Sequence, residues 1–387
     1  MKKITSIIVI VTLVVVAYSC RKNKVSGGTV YLDLPATPYT YNTVSPDASI
    51  NYKATLGRVL FYDNSLSLNN SVSCGSCHKQ ILGFADNAAL STGYEGKLTM
   101  RNSKSISNIT GDSIDFADIN NPNPMFSGPL PLFWDGRVTM LTALISHPVT
   151  NHVEMGFSDF SSVPTKLATL SYYSPLFVNA YGDASITTDR IAECISMFLV
   201  SIRSNSTRFD RFQAYVDSQL SFGGFQEFVS LTNPYFTPLE TQGYNLFFST
   251  YNCGSCHHLN FSSSYTMNDF HDIGLDKNYV DLGLGAITGS SSDNGKFKVP
   301  SLRNVALSAP YMHDGRYQTL SQVIDHYSSS IQASPNLDPQ LTNDTTGAPL
   351  HMNIPDADKT ALIAFLNTLT DNQMVTDPKF SNPFKVK

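Results

Sequence analysis

An all-α protein built from two copies of one domain type is predicted by three observations. A pentapeptide, Cys74-Gly75-Ser76-Cys77-His78, recurs as Cys253-Gly254-Ser255-Cys256-His257. The 60 residues from Cys74 to Trp134-Asp135-Gly136-Arg137 match the 60 from Cys253 to His313-Asp314-Gly315-Arg316. Apolar residues around these landmarks recur at helical spacing, and no run of alternating strands appears.

The chain begins with a targeting segment. Lys2 and Lys3 precede an apolar run of 15 residues, Ile4 to Tyr18. A membrane-spanning helix needs roughly 18 or more. Ala17-Tyr18-Ser19-Cys20 closes the run, so residues 1–19 read as an export signal. Cleavage after Ser19 gives an ordinary secreted protein; a lipoprotein signal puts a lipid on Cys20 and anchors the chain to a membrane. The lipoprotein form is the one carried forward, with location in the periplasm or cell envelope. Residues 20–50, rich in Thr, Pro, Gly and Tyr, read as a tether.

Two domains suit a chain of 387 residues. They are expected at residues 51–220 and 237–375. In the first, Ile191, Ile195, Phe198, Leu199 and Ile202 mark a helix over 188–203, with Cys194 as a small buried side chain. In the second, Thr237-Pro238-Leu239-Glu240 forms a capping box with proline at the first helical position. Leu362, Phe365, Leu366 and Leu369 mark a last helix. Lys and Arg total 26 against 31 Asp and Glu, so no basic excess exists to hold a nucleic-acid backbone.

The repeated pentapeptide carries specific chemistry. Two thiols three residues apart on one helical turn can both add to the vinyl groups of one haem. The following histidine is placed to ligate the iron. A zinc ribbon needs its two CxxC pairs about 15–20 residues apart, and here they lie far apart in the chain. A thioredoxin-like CxxC needs a preceding strand, and plain disulfides leave His78 and His257 unexplained. Two covalent c-type haems follow, attached at Cys74, Cys77, Cys253 and Cys256, with His78 and His257 as proximal ligands.

From about Tyr52 to Leu369 the sequence resembles the bacterial dihaem cytochrome c peroxidase family, which includes the MauG-type enzymes. The segments that carry the resemblance are Leu56–Asp63, Cys74–His78, Gly83–Asp86, Phe133–Arg137, Val153–Gly156, Lys296–Asn304 and Ala309–Arg316. The resemblance implies two cytochrome c-like haem domains in tandem with long loops. It makes the first haem the peroxidatic centre and the second the electron-receiving one. Trp134, which from the residues alone is a core aromatic, matches the residue between the haems. Glu154 matches the distal acid, which moves protons during peroxide cleavage.

Several positions depart from the family. Leu144 stands where a distal glutamine is usual. His152 replaces a proline and reads either as a substitute donor or as a surface residue. Tyr94 occupies the place of the mobile distal histidine, where it could ligate, gate or cover. At the second haem the position of the sixth ligand falls on Tyr327, with His326 and Met312 as rivals. Classical members have Met there and MauG-type members Tyr. The family also implies a calcium ion, with Asn102, Ser308 and Pro310 at the matching positions.

The expected function is peroxidase: H2O2 reduced to water with electrons from a small cytochrome c or cupredoxin. A MauG-type oxidase of a protein or organic substrate is the second reading, and a dihaem electron carrier the third. Family members are often dimers, so a homodimer is the expected assembly.

Overall fold

The structure, a computed structural model, describes residues 30–41, 48–110, 131–220, 234–259 and 269–386. The expected signal and Cys20 lie outside the described residues. Those residues form helices α1 (Ala48–Tyr62), α2 (Cys74–Cys77), α3 (Leu141–Thr150), α4 (Ser162–Ala168), α5 (Tyr173–Tyr181), α6 (Thr188–Ser201), α7 (Arg208–Leu220), α8 (Pro238–Asn245), α9 (Gly285–Thr288), α10 (Leu320–Asp325) and α11 (Asp356–Asn367). Strands are two or three residues long. β1 (Val30–Leu32) pairs antiparallel with β4 (Phe384–Val386), and β2 (Phe270–His271) with β3 (Phe297–Lys298). The helix-rich fold agrees with the sequence, and the short ladders are additions to it. Among the described residues, no helix is long and apolar enough to cross a membrane.

Side-chain caps start the main helices. Thr187 Oγ1 accepts from the Arg190 N–H at 3.2 Å and opens α6. At α8 the capping box closes in both directions. Thr237 N–H donates to Glu240 at 2.8 Å and Glu240 N–H donates to Thr237 Oγ1 at 3.3 Å.

Glycine sets how the long helices cross. A Cβ on Gly57 of α1 would lie 1.8 Å from the Cys194 carbonyl oxygen of α6, and one on Gly243 of α8 1.9 Å from that of Ala361 in α11. In each pair a phenylalanine four residues further on, Phe198 or Phe365, fills the next position of the crossing. The same helix pair is therefore built twice. The Asp-Gly-Arg turns repeat equally well. Leu132 bridges Val138 and Tyr311 bridges Tyr317, and Gly136 and Gly315 both have φ of 69°.

Two apolar cores result. The first contains Phe61, Tyr173 and Phe198; the second contains Phe209, Phe247 and Phe365. Their limits differ from those expected at 51–220 and 237–375. Phe209 of α7 packs edge-on to Phe365 at 5.7 Å, so α7 belongs with the second core. Met374, Val375 and Phe380 return to the first. Of the expected tether over 20–50, residues 30–41 and 48–50 are described. Residues 30–41 are held in place: β1 pairs with β4, Leu32 and Leu34 pack on the first core, and Tyr41 N–H donates to Asn51 Oδ1 at 2.8 Å.

Replacing Gly57 by alanine should destabilise the protein, although alanine favours a helix interior over glycine by about 1 kcal/mol. The obstacle is backbone, so the expected loss is about 1–3 kcal/mol. It would appear as a lower midpoint in chemical denaturation. A midpoint at or above wild type would contradict this helix crossing.

Candidate functional site

The two CxxCH segments share one packing device. The first cysteine pair lies on the single turn α2; the second lies on a 3-10 turn, Cys253–Ser255. In each, the glycine between the cysteines has an aromatic ring against it. A Cβ on Gly75 would lie 2.4 Å from the Tyr62 ring, and one on Gly254 2.7 Å from the Phe248 ring. All four thiols are free. Burial pushes Cys74 and Cys253 up to about 12 and Cys77 to about 11. Neutral thiols of this kind fit conversion to thioethers, which carry no charge to bury.

The His78 imidazole is held by a backbone carbonyl. His78 Nδ1 lies 3.0 Å from the Phe84 carbonyl. A carbonyl only accepts, so Nδ1 holds the proton and Nε2 keeps its lone pair. Burial lowers the His78 pKa and takes His257 down to about 4. His257 Nδ1 is buried with no geometrically satisfied hydrogen bond; the Pro300 carbonyl is the acceptor beside it.

His257 opens on a cavity of about 810 Å3, also lined by Cys253, Cys256, Met312 and Tyr327. This size lies within the range of cofactor sites. Lys298, buried to 8% exposure, lines it too, and burial lowers its amine to about 8. Its Nζ forms no ion pair among the described residues. A haem would bring two carboxylates to this wall, so cavity, thiols, imidazole and ammonium all fit the group.

Of the three residues expected to compete for the sixth position, Tyr327 and Met312 line the cavity and His326 does not. α10 runs into a π-turn, His326–Ser330, a feature frequent at functional sites. His326 turns inward: Nε2 meets the Ile273 carbonyl at 2.9 Å and Nδ1 the Tyr317 hydroxyl at 3.5 Å. Tyr327 faces the cavity, and its hydroxyl has no hydrogen bond among the described residues. Burial raises its phenol pKa, with Cys253 and Cys256 adding to the rise. Met312 also lines the cavity.

Trp134 stands at the junction of the halves. It is 9% exposed and lines the second cavity. Its Nε1–H donates to the Asn102 carbonyl at 2.9 Å, and its own carbonyl accepts from Lys298 N–H at 2.8 Å. Lys104 Nζ sits 5.2 Å from the ring centroid and donates to Phe133 O at 2.8 Å. Arg101 clamps the same place. Its guanidinium reaches Asp135 at 2.6 Å and Asp281 at 2.7 and 2.8 Å.

The three residues matched to calcium share one cavity lining. Asn102, Ser308 and Pro310 all line the second cavity. Asn102 Nδ2 donates to the Ala88 and Ala89 carbonyls, both at 3.2 Å. Those two acceptors fix the amide orientation, which leaves Oδ1 without a donor among the described residues. An oxygen held in this way fits a hard cation.

On the first half, Glu154 is half-buried near the CxxC segment, close enough for its charge to act on both Cys74 and Cys77. Burial raises its pKa, against opposing effects of Arg137 and Asn151. Asn151 organises this loop. Its Nδ2 donates to Glu154 Oε1 at 2.8 Å, its Oδ1 caps Val153 N–H at 2.9 Å, and its carbonyl accepts from Glu154, Met155 and Gly156. Sequence reasoning missed Asn151, although an asparagine three residues before the acid was a visible signal. His152 is exposed, as a surface histidine would be, and Leu144 packs on the first core. Tyr94 lies against Gly156 and directs its hydroxyl to Glu95.

Comparison with known proteins agrees with this geometry. The family model for di-haem cytochrome c peroxidase matches residues 51–218. The methylamine utilization protein MauG of Methylophilus methylotrophus is 30% identical over 319 residues, 82% of this chain and 82% of that protein. Cytochrome c551 peroxidase of Nitrosomonas europaea is 28% identical, covering 85% of this chain and 82% of that one. A MauG-like protein associated with microbial copper homeostasis has a crystal structure that superposes with a TM-score of 0.70, at 29% identity over 91% of this chain and 98% of that one. By its sequence over most of its length, the chain belongs to the di-haem cytochrome c peroxidase family, MauG proteins included.

Proposed function

We propose that this protein is an exported dihaem peroxidase that reduces H2O2 to two waters, taking two electrons from a small redox protein and two protons from solvent. Haem iron, when bound, supplies the electrons that break the O–O bond. Glu154 performs the proton work. The observation that carries this reading is a half-buried carboxyl near the first CxxC, with one oxygen held by Asn151 and the other free of it. The free oxygen takes a proton from one peroxide oxygen and returns it to the other.

Each half forms one c-type haem domain in this reading. Cys74, Cys77 and His78 hold the peroxidatic group; Cys253, Cys256, His257 and Tyr327 hold the electron-receiving one. Trp134 fills the path between them. Asn102 Oδ1 and the backbone oxygens of Ser308 and Pro310 hold calcium. Lipidation at Cys20 and a homodimer belong to the same proposal; mass spectrometry of the mature chain and sedimentation, respectively, test them, and an unmodified Cys20 or a monomer would remove them.

A MauG-type oxidase is the second reading. Tyr327 in the second cavity favours it, because phenolate is a hard anionic donor that holds iron at low potential. Relatives named MauG, at up to 30% identity, support keeping it.

Glu154→Gln should lower peroxide turnover by about 10²–10⁴-fold, with haem content and fold retained; unchanged turnover would remove Glu154 from the mechanism. Asn151→Ala tests its environment. The amide bond lowers the Glu154 pKa against burial, so its loss raises that pKa further. Activity that needs the carboxylate then falls away at a higher pH, and the acid limb of the rate profile moves upward. An unmoved limb would mean that Asn151 does not set this acid.

Tyr327→Phe should raise the potential of the second haem and change its ferric absorption spectrum, as loss of an anionic ligand requires. Identical potentials would return the sixth position to Met312. Calcium is tested by chelation, which should lower the thermal midpoint of wild type, with recovery on adding Ca2+ and not Mg2+. Asn102→Ala should show no such response. Elemental analysis finding no calcium in untreated protein would end the calcium proposal.

A further inference from the structure

The phenols that line the second cavity differ in where their protons can go. Tyr311 donates to the Val305 carbonyl at 2.9 Å, and a carbonyl cannot take the proton away. Tyr279 donates to Asp272 at 2.7 Å, but that carboxylate is 3% exposed and also accepts from Ser334 Oγ and the Gly274 N–H. A proton placed there is shut away from solvent. Tyr251 is arranged differently. It is half-buried, lines the cavity two residues before Cys253, and donates to Asp358 Oδ2 at 2.7 Å. Its N–H meets the Leu246 carbonyl at 2.9 Å and closes the π-turn Leu246–Thr250, which fixes its place. Asp358 stands half-exposed in the first turn of α11, so water reaches the carboxylate. Its other oxygen accepts from Gln242 Nε2 at 3.4 Å. Tyr251 thus joins the cavity to a base that is open to solvent.

We propose that Tyr251 and Asp358 form an outlet through which oxidising equivalents reach the surface, giving the protein a further activity: one-electron oxidation of small, electron-rich phenols. This rests on the reaction with peroxide proposed above and adds to it a route that needs no docked protein. Tyr251 gives an electron to a haem that peroxide has oxidised and its O–H proton to Asp358 Oδ2, which leaves a neutral phenoxyl on the ring. A phenol arriving from solvent supplies the next electron. Asp358 then returns the proton to the Tyr251 oxygen, and the substrate's own proton passes to water. Two such cycles for each H2O2 give two waters and two phenoxyl products. The base is essential, because a phenol oxidised with its proton in place is a cation, and a partly buried cation without a partner is costly. Burial, with Asp358 adding to it, pushes the resting phenol up to about 12, so the proton stays on oxygen until the electron leaves. Trp134 lacks this device, since its N–H meets the Asn102 carbonyl. Electron-rich phenols are the fitting substrates because they yield an electron more readily than the tyrosine phenol does.

The test uses the holoprotein, mixed with H2O2 in the absence of any reductant, frozen rapidly and measured by electron paramagnetic resonance. Wild type should show an organic radical whose signal narrows when the protein carries ring-deuterated tyrosine. Tyr251→Phe should lose that signal with haem content retained. Asp358→Asn keeps an acceptor for the hydroxyl but no base, and should reduce the signal at least about tenfold. Peroxide-dependent oxidation of guaiacol, an electron-rich phenol, should fall by a similar factor in both variants. A radical of full strength in either variant would overturn the proposal. So would guaiacol oxidation that survives both substitutions, or wild-type haems that respond to peroxide with no tyrosine radical. Failure of the underlying reading is a separate result: the haem absorption of wild type does not respond to peroxide at all.

Discussion

The guanidinium of Arg101 fixes the relation between the two halves. It sits one residue before Asn102 and reaches Asp135, the neighbour of Trp134, and Asp281 in the second half. Burial pushes the Asp135 carboxyl up, but its bonds to Arg101 and Arg137 hold it below the usual range. The planar fork gives Asp281 two parallel bonds and Asp135 a third, a set that the single nitrogen of a lysine would not reproduce. Asn102 then follows as a consequence of this clamp. Its N–H donates to the His313 carbonyl at 2.7 Å, its carbonyl receives the Trp134 indole, and its amide is left with one free oxygen. Thus one cation positions both Trp134 and the oxygen matched to calcium.

The duplication runs deeper than its sequence landmarks. Phe133 and Met312 both adopt positive φ, 64° and 75°, just before their Asp-Gly-Arg turns. Asn108 and Asn304 do the same, at 51° and 59°. Each asparagine ties a loop to the segment after the last helix of its own half: Asn108 pairs with Ser204, and Asn304 with Leu369 and Asp371. Four residues before each asparagine stands the residue whose carbonyl lies beside a proximal imidazole, Lys104 for His78 and Pro300 for His257. Backbone conformation has been retained where side chains diverged.

What was legible in the sequence was local. The CxxCH segments, the capping box at Thr237 and the amphipathic run of α6 each carry their physics within a few residues. Helix pairing was half legible: Gly57 and Gly243 stood in apolar helices, but nothing in the linear order shows that a carbonyl of another helix presses on them. The attachment of residues 30–41 was hidden for the same reason, since β1 meets its partner at the far end of the chain. At the second haem, sequence spacing left His326 and Tyr327 adjacent and undecided. The difference comes from a π-turn, which rotates one side chain into the cavity and the other toward Ile273. Lys298 read as part of a motif; only its burial beside an open cavity shows that it lacks an anion.

The surroundings of Trp134 bear on the choice between peroxidase and oxidase. An indole that stores an oxidising equivalent must either hold a positive charge or release its N–H proton. Here the N–H donates to a backbone carbonyl, which cannot take the proton. Among the described residues no carboxylate is hydrogen-bonded to the indole, and Lys104 Nζ lies 5.2 Å from the ring centroid. The indole N–H therefore has no group beside it that could take its proton. An indole that does not release its proton is poorly suited to retaining an oxidising equivalent. Under the proposed ligation, phenolate at Tyr327 would act on a different step, because it would make the second haem a poorer electron store.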